Sequence, residues 1–145
     1  MEQKRIYGEE AENFVVNFEY NRLNSKQSIE WVAKITVNDG YDIASYDNEA
    51  DKNFNRFIEV KSYAGNNKYF YLSANELKVS KRIKQNYWLY LVNRDKVSEA
   101  DYAPTMIQNP YEVVFTSGDW DMEAQNWKFE AVSYTHLTLP TIYSV

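Results

Sequence analysis

Residues 57–63, Phe-Ile-Glu-Val-Lys-Ser-Tyr, decide how this chain folds. Side chains of a strand alternate between its faces, so Glu59 and Lys61 leave on the same side. Upstream, the polar stretch 47–56 (DNEADKNFNR) reads as a loop behind a strand at 41–46 (YDIASY). Asn38-Asp39-Gly40 is a strong hairpin signal. It joins that strand to 29–37 (IEWVAKITV), where Ile29, Trp31, Ala33, Ile35 and Val37 share one face. Residues 8–23 read as an amphipathic helix, with Ala11, Phe14, Val15 and Phe18 recurring at i, i+3, i+4 and i+7. Glu9, Glu10 and Glu12 fall in its expected first turn, where carboxylates complement the helix dipole. Glu12 and Glu19 lie on the flank of the apolar stripe.

Downstream, Gly65-Asn66-Asn67 closes the central strand and 69–72 (YFYL) reads as a short further one. Ser73-Ala74-Asn75-Glu76 is a capping box that opens a helix running to about Gln85. Leu77, Ser80 and Ile83 or Lys84 are expected inward, and Lys78, Lys81 and Arg82 outward. Residues 87–92 (YWLYLV) are apolar on both faces, as in a strand covered on both sides. The order α-β-β-β-α-β predicts an α/β domain: a mixed sheet of four to five strands with helices packed on it. An antiparallel meander is followed by a crossover, which should be right-handed. Pro104, Asn109-Pro110 and Ser117-Gly118 cut the remainder into short pieces, with a short helix expected at 119–129. Residues 133–145 (SYTHLTLPTIYSV) shift composition abruptly and read as a non-native, adaptor-derived tail. The expected domain is therefore 1–132, which leaves His136, the one histidine, outside it.

A chain of 145 residues suits one domain, and 44% hydrophobic residues can supply its core. The 13 tyrosines suit half-buried sheet positions, where a ring packs and its hydroxyl stays wet. With no cysteine there are no disulfides or thiolate metal sites, which fits a reducing compartment. No stretch approaches the roughly 20 apolar residues of a membrane span, so no membrane association is expected. The charged start, MEQKRIYGEEAE, lacks a signal-peptide segment. A cytoplasmic protein is expected. The net charge of −5 argues against nucleic acid as a partner, yet the charge is unevenly spread. Residues 52–84 carry 8 Lys/Arg against 2 Asp/Glu, whereas 1–51 carry 5 against 11. That basic block is either a solvated helix face or a phosphate-contacting surface.

Without cysteine, and with its histidine set aside, the chain builds no Cys–His or Ser–His–Asp site. Carboxylate and lysine chemistry remains, which points to a hard divalent cation. Glu-x-Lys occurs three times, at 2–4, 59–61 and 76–78, so the triplet alone carries little. Only Glu59-Val60-Lys61 lies in a predicted strand behind a hairpin, and that hairpin carries Asp42. Antiparallel pairing could set Asp42 beside Glu59. The two carboxylates and the Val60 carbonyl would then hold Mg²⁺ or Mn²⁺, with waters and phosphate oxygens completing the octahedron. Lys61 would orient or help deprotonate the attacking water while screening phosphate charge. The bland alternatives are a cross-strand charge ladder for Glu59 and Lys61, a turn-flanking acid at Asp42, and a first-turn helix acid at Glu12.

The segments GEEAENFVVNFEYNRL (8–23), NDGYDIASY (38–46), FIEVKS (57–62), FYLSANEL (70–77) and YWLYLV (87–92) together resemble a known family. It is the C-terminal domain of the plant protein NO VEIN, which also occurs in bacterial helicase and restriction-type proteins. Gly-Tyr-Asp-Ile and Ile-Glu-Val-Lys are the most specific part. The resemblance implies a restriction-endonuclease-like core of the PD-(D/E)XK superfamily, near Mrr-like endonucleases and archaeal Holliday-junction resolvases. It implies Asp42 and Glu59 as metal-binding acids, Lys61 as the catalytic lysine and Glu12 as the acid of the first helix. Ser73, Asn75 and Glu76 match a family signature, for which the capping box supplies a structural reason, and Asn109-Pro110 resembles another recurrent feature. The expected function is a Mg²⁺-dependent, endonuclease-like DNA phosphodiesterase of a defence or repair system. Lys78, Lys81, Arg82 and Lys84 would contact phosphate. A helicase or methylase partner and a homodimer are the associations implied. Two alternatives stand beside it: a non-catalytic module that binds nucleic acid or protein within a larger helicase or restriction machine, and a protein-interaction domain with no nucleic-acid role.

Overall fold

In the computed structural model, which describes residues 2–37, 39–123 and 129–132, five strands form one mixed sheet with three α-helices around it. Helix α1 (Glu2–Arg22) precedes strands β1 (Glu30–Trp31), β2 (Ile43–Ser45) and β3 (Arg56–Tyr63). Helix α2 (Ala74–Ile83) then leads to β4 (Tyr87–Asn93), β5 (Thr105–Gln108) and helix α3 (Pro110–Thr116). The strands lie in the order β1-β2-β3-β4-β5, antiparallel except for the parallel pair β3 and β4. A parallel neighbour needs a crossover, and α2 supplies it.

Alternation along β3 divides the molecule. Ile58 and Val60 pack with Ile43, Tyr90 and Val92 against Ala11 and Val15 of α1. On the opposite face Tyr63, Leu89 and Leu91 pack with Phe70, Ile107 and Trp120. Glu59 and Lys61, four and two residues from Tyr63, belong to that second face. Beneath α1 lies a buried charge. Glu19 is 0% exposed and accepts bonds from Ser45 (2.7 Å), Tyr90 (2.8 Å) and both arms of Arg22 (2.6 and 2.8 Å). A buried carboxylate with this many donors is a satisfied group. Placing Glu19 on the flank of the stripe understated its depth.

Several boundaries differ from those expected. The first helix starts at Glu2 rather than at residue 8, because Arg5 braces its exposed start with Glu2 and Glu9. Glu9, Glu10 and Glu12 therefore lie in its interior, where the dipole does not account for them. The strand expected at 29–37 stops after Trp31. There the chain winds into a short 3-10 turn, Val32–Lys34, whose Ala33 N–H bonds the Asp42 carbonyl. Val37, expected to share a strand face with Ile29 and Trp31, is 91% exposed. The 41–46 strand pairs only over Ile43–Ser45. Residues 69–72 are not paired as a strand. Helix α2 ends at Ile83, since Lys84 adopts φ +60°, and its buried residues are Val79 and Ser80. Lys84 is exposed. Residues 105–116, read as broken pieces, form β5 and α3, with Pro110 in the first turn of α3. Proline there lacks only an N–H that a helix start leaves free. Residues 119–123 are not helical, and 124–128 and the tail 133–145 with His136 lie outside the described residues. No helix among the described residues is long and apolar enough to cross a membrane.

Candidate active site

The chain enters β2 through Gly40 and Asp42. Gly40 has φ +81°, and a Cβ there would meet Val79 of α2 at 2.5 Å. Its carbonyl accepts a 2.7 Å bond from the buried Tyr87 hydroxyl. Only glycine fits a position pinned this closely between α2 and β4. Two residues on, the Asp42 N–H bonds the Ile58 carbonyl, and its carboxylate Oδ2 accepts the Val60 N–H at 2.8 Å. Ile43 pairs with Ile58, so one further step of the same register sets Asp42 opposite Glu59. The acid of the second strand thus shares a face with Glu59 and Lys61. The Val60 N–H is aimed at the Asp42 side, and in an extended strand the carbonyl of the same residue leaves on that side too.

Lys61 is clasped by two carboxylates, with Nζ 3.3 Å from Glu59 and 2.9 Å from Glu76. Glu76 comes from the first turn of α2, where it also closes the capping box: Ser73 N–H donates to its Oε1 (3.0 Å) and its own N–H donates to Ser73 Oγ (3.1 Å). Glu12, from α1, accepts the Trp31 indole N–H at 2.7 Å. A cleft of about 250 Å³ opens over this group, bounded by Asp42 and Glu59, by Thr36, Asp39 and Tyr41 of the preceding loop, and by Ser73, Asn75 and Glu76 of α2. Another cleft, of about 290 Å³ beside Asn109 and α3, has Glu112 as its one charged lining residue among the described residues.

Glu59 and Glu76 therefore contact Lys61 directly, and Asp42 and Glu12 feel its charge. Burial, then the nearby Glu12 charge, raises Asp42 from its ordinary 3.8 to about 7, against the Val60 N–H and Lys61, which favour the ionised form. Burial and then Asp42 push Glu59 well above the usual carboxylate range. Glu12 is raised mainly by burial, with the Trp31 bond opposing. Burial pulls Lys61 down, but Glu59 and Glu76 outweigh it, so its ammonium is held more firmly than usual. Burial likewise works against the Glu76 carboxylate, yet Lys61 and the cap hold it below its ordinary value. Ionising all of these acids together would leave more negative charge than Lys61 neutralises, which is why Asp42 and Glu59 hold their protons to higher pH.

Among the described residues, no three His, Cys, Asp or Glu side chains form a cluster able to hold a metal ion. Mg²⁺ does not need one, because it keeps several waters and uses one or two carboxylates together with substrate phosphates. Asp42, Glu59 and the Val60 carbonyl fit that donor set, and their mutual repulsion is what a divalent cation would relieve.

Of the residues singled out in the sequence, Asp42, Glu59, Val60 and Lys61 come together. Glu12 stands near enough for its charge to act on Asp42. Lys78, Lys81 and Arg82 occupy one sector of α2, at i, i+3 and i+4. Arg82 is close enough to act on Tyr41 at the cleft, and Lys81 lies over the Tyr111 ring at 5.6 Å. Lys84 lies beyond the helix end and outside that sector. Sequence reasoning missed the second duty of Glu76, which the capping box was enough to explain alone. It also read Gly40 only as a turn residue, although its place beside Asp42 was a signal of close approach.

No curated protein and no solved structure matches this chain. A family model does, described as Protein NO VEIN, C-terminal, and it spans residues 11–106. That span includes Glu12, Asp42, Glu59, Lys61 and Glu76 and covers well over half of the chain. The chain belongs to the family of the NO VEIN C-terminal domain.

Proposed function

We propose that this domain is a metal-dependent DNA phosphodiesterase of endonuclease type, with a restriction-endonuclease-like PD-(D/E)XK core. The observation that carries the reading is the juxtaposition of Asp42 and Glu59 on adjacent strands, with Lys61 held charged on the same face. Asp42, Glu59 and the Val60 carbonyl would hold Mg²⁺ or Mn²⁺, which when bound supplies Lewis-acid polarisation of the scissile phosphate. Because Lys61 is held protonated, its part is to orient the attacking water and screen phosphate charge rather than to take the water's proton. Glu76 keeps Lys61 aimed, and Glu12 adds negative potential beside Asp42. In the reaction the water oxygen bonds to phosphorus, a P–O ester bond breaks, and the leaving oxygen gains a proton. The exposed Lys78, Lys81 and Arg82, with no ion pair to any described residue, would meet the DNA backbone, and Lys84 would add charge at longer range. A place in a defence or repair system beside a helicase or methylase follows the same reading.

Cleavage of plasmid DNA in Mg²⁺ tests it. Lys61→Ala and Asp42→Asn should each lose about 10²–10³-fold in rate while still folding. Equal cleavage by all three proteins would sink the proposal. The exposed Lys78, Lys81 and Arg82 fit a second reading as well, in which the fold persists as a non-catalytic nucleic-acid-binding module. DNA binding unchanged by Glu59→Gln, with no Mn²⁺ bound by the wild type, would select it.

A further inference from the structure

The row of side chains that carries Glu59 and Lys61 does not end at the cleft. Two residues beyond Lys61 on the same face of β3, a step of about 7 Å, stands Tyr63. Its ring meets Tyr69 at 6.4 Å, and Tyr69 meets Tyr71 at 6.1 Å, both edge-on. Residues 68–72 run as an unpaired segment into the α2 cap, and burial alternates from Tyr69 to Leu72. Phe70 turns inward against Trp120, whereas Tyr69 and Tyr71 are 48% and 62% exposed. Tyr63, at 5% exposed, anchors the row from beneath.

Two features set these rings apart from an ordinary exposed pair. The first is position, since Tyr71 is two residues from Ser73, which lines the cleft over Asp42 and Glu59. The second is charge. Lys68 is exposed beside Tyr69, Lys78, Lys81 and Arg82 follow on α2, and none has an ion pair to a described residue. Exposed aromatic rings beside cations that have no carboxylate partner among the described residues match a polyanion whose flat groups are unstacked, which is a single nucleic-acid strand. A duplex keeps its bases stacked inside and offers such rings nothing to lie against.

We infer that Tyr69 and Tyr71, with Lys68, form a stacking platform for unpaired bases, and that the substrate carries a single-stranded DNA segment leading into the cleft. The inference rests on the nuclease reading for its substrate class, but binding can be measured apart from cleavage. The test uses the full chain in EDTA, with an oligonucleotide of about 15 nucleotides bearing 2-aminopurine, and a duplex of the same length. Wild type should bind the single strand more tightly and quench the 2-aminopurine. Tyr71→Ala should weaken that binding about tenfold or more and abolish the quench, leaving duplex affinity unchanged. Tyr71→Phe should restore both, since the ring and not the hydroxyl does the stacking. Melting temperature checks that the variants are folded, and the exposure of Tyr71 makes that the expected result. Single-strand affinity and quenching unaltered in folded Tyr71→Ala would overturn the platform, as would a wild type that binds only duplex. A protein partner on these rings would give that unaltered result. Loss of cleavage in Lys61→Ala with single-strand binding intact leaves the platform standing. Platform failure beside Mg²⁺-dependent duplex cleavage leaves the nuclease reading standing.

Discussion

At the scale of single residues, Gly40 shows how little room the site leaves. Its positive φ would strain any other L residue, and the space where a Cβ would go is filled by Val79. Gly40→Ala should therefore cost about 2–4 kcal/mol, from strained backbone and overpacking together. A denaturant titration reads this directly, and a loss below about 0.5 kcal/mol would mean the loop shifts freely. Glu76 illustrates a different economy. One carboxylate serves as the reciprocal half of a helix cap and as the partner of Lys61. The sequence shows the first role, because both members of the box are three residues apart. The second depends on Lys61, which arrives from another element fifteen residues away.

At the scale of elements, the start of α2 couples helix stability to the candidate site. Ser73→Ala removes a cap and should cost about 1 kcal/mol. Glu76→Ala should cost a similar amount through the cap, and it also deprives Lys61 of a carboxylate that raises its pKa. Only Glu76→Ala should then move the alkaline limb of a pH–rate profile to lower pH, and matching profiles for the two variants would deny Glu76 a role at Lys61. The elements that were legible in advance are those with local signals. β3 and β4 carry their own apolar patterns, and α2 announces its start through Ser73 and Glu76. The 29–37 stretch misled because apolar alternation continues through Ile35 and Val37, although no strand among the described residues pairs with them. α3 was hidden because Pro110 reads as a breaker until it is seen to occupy a helix start. Of the candidate site, Asp42, Glu59 and Lys61 were readable from a hairpin and an alternating strand. Burial of Glu19 was not, since its donor Tyr90 lies 71 residues on.

At the scale of the whole molecule, the crowded acids make stability depend on pH in a definite direction. The fold keeps the Asp42 proton up to about pH 7, whereas its ordinary value is 3.8. Between these values the folded state binds more protons than the unfolded chain, so stability falls as pH rises through that window. Glu59, raised in the same sense, adds to the fall. A cation held by the two carboxylates would reverse it, since ligands that bind only the folded state stabilise it. Without divalent ions, the melting temperature should fall between about pH 5 and pH 8, and less steeply in Asp42→Asn. Added Mg²⁺ should raise it at the upper pH and leave it nearly unchanged at the lower. A melting temperature indifferent to Mg²⁺ at pH 8 would count against a cation at this position. The buried Glu19 bears on the same geometry from a distance. A helix seated on a greasy stripe alone can slip along its sheet, one set of methyls replacing another. A carboxylate locked to Ser45 and Tyr90 of the sheet cannot, so α1 is keyed like a shaft in its slot. Glu12 sits two turns further along that shaft, about 10 Å away by helical rise, and its distance from Asp42 is dictated by that key.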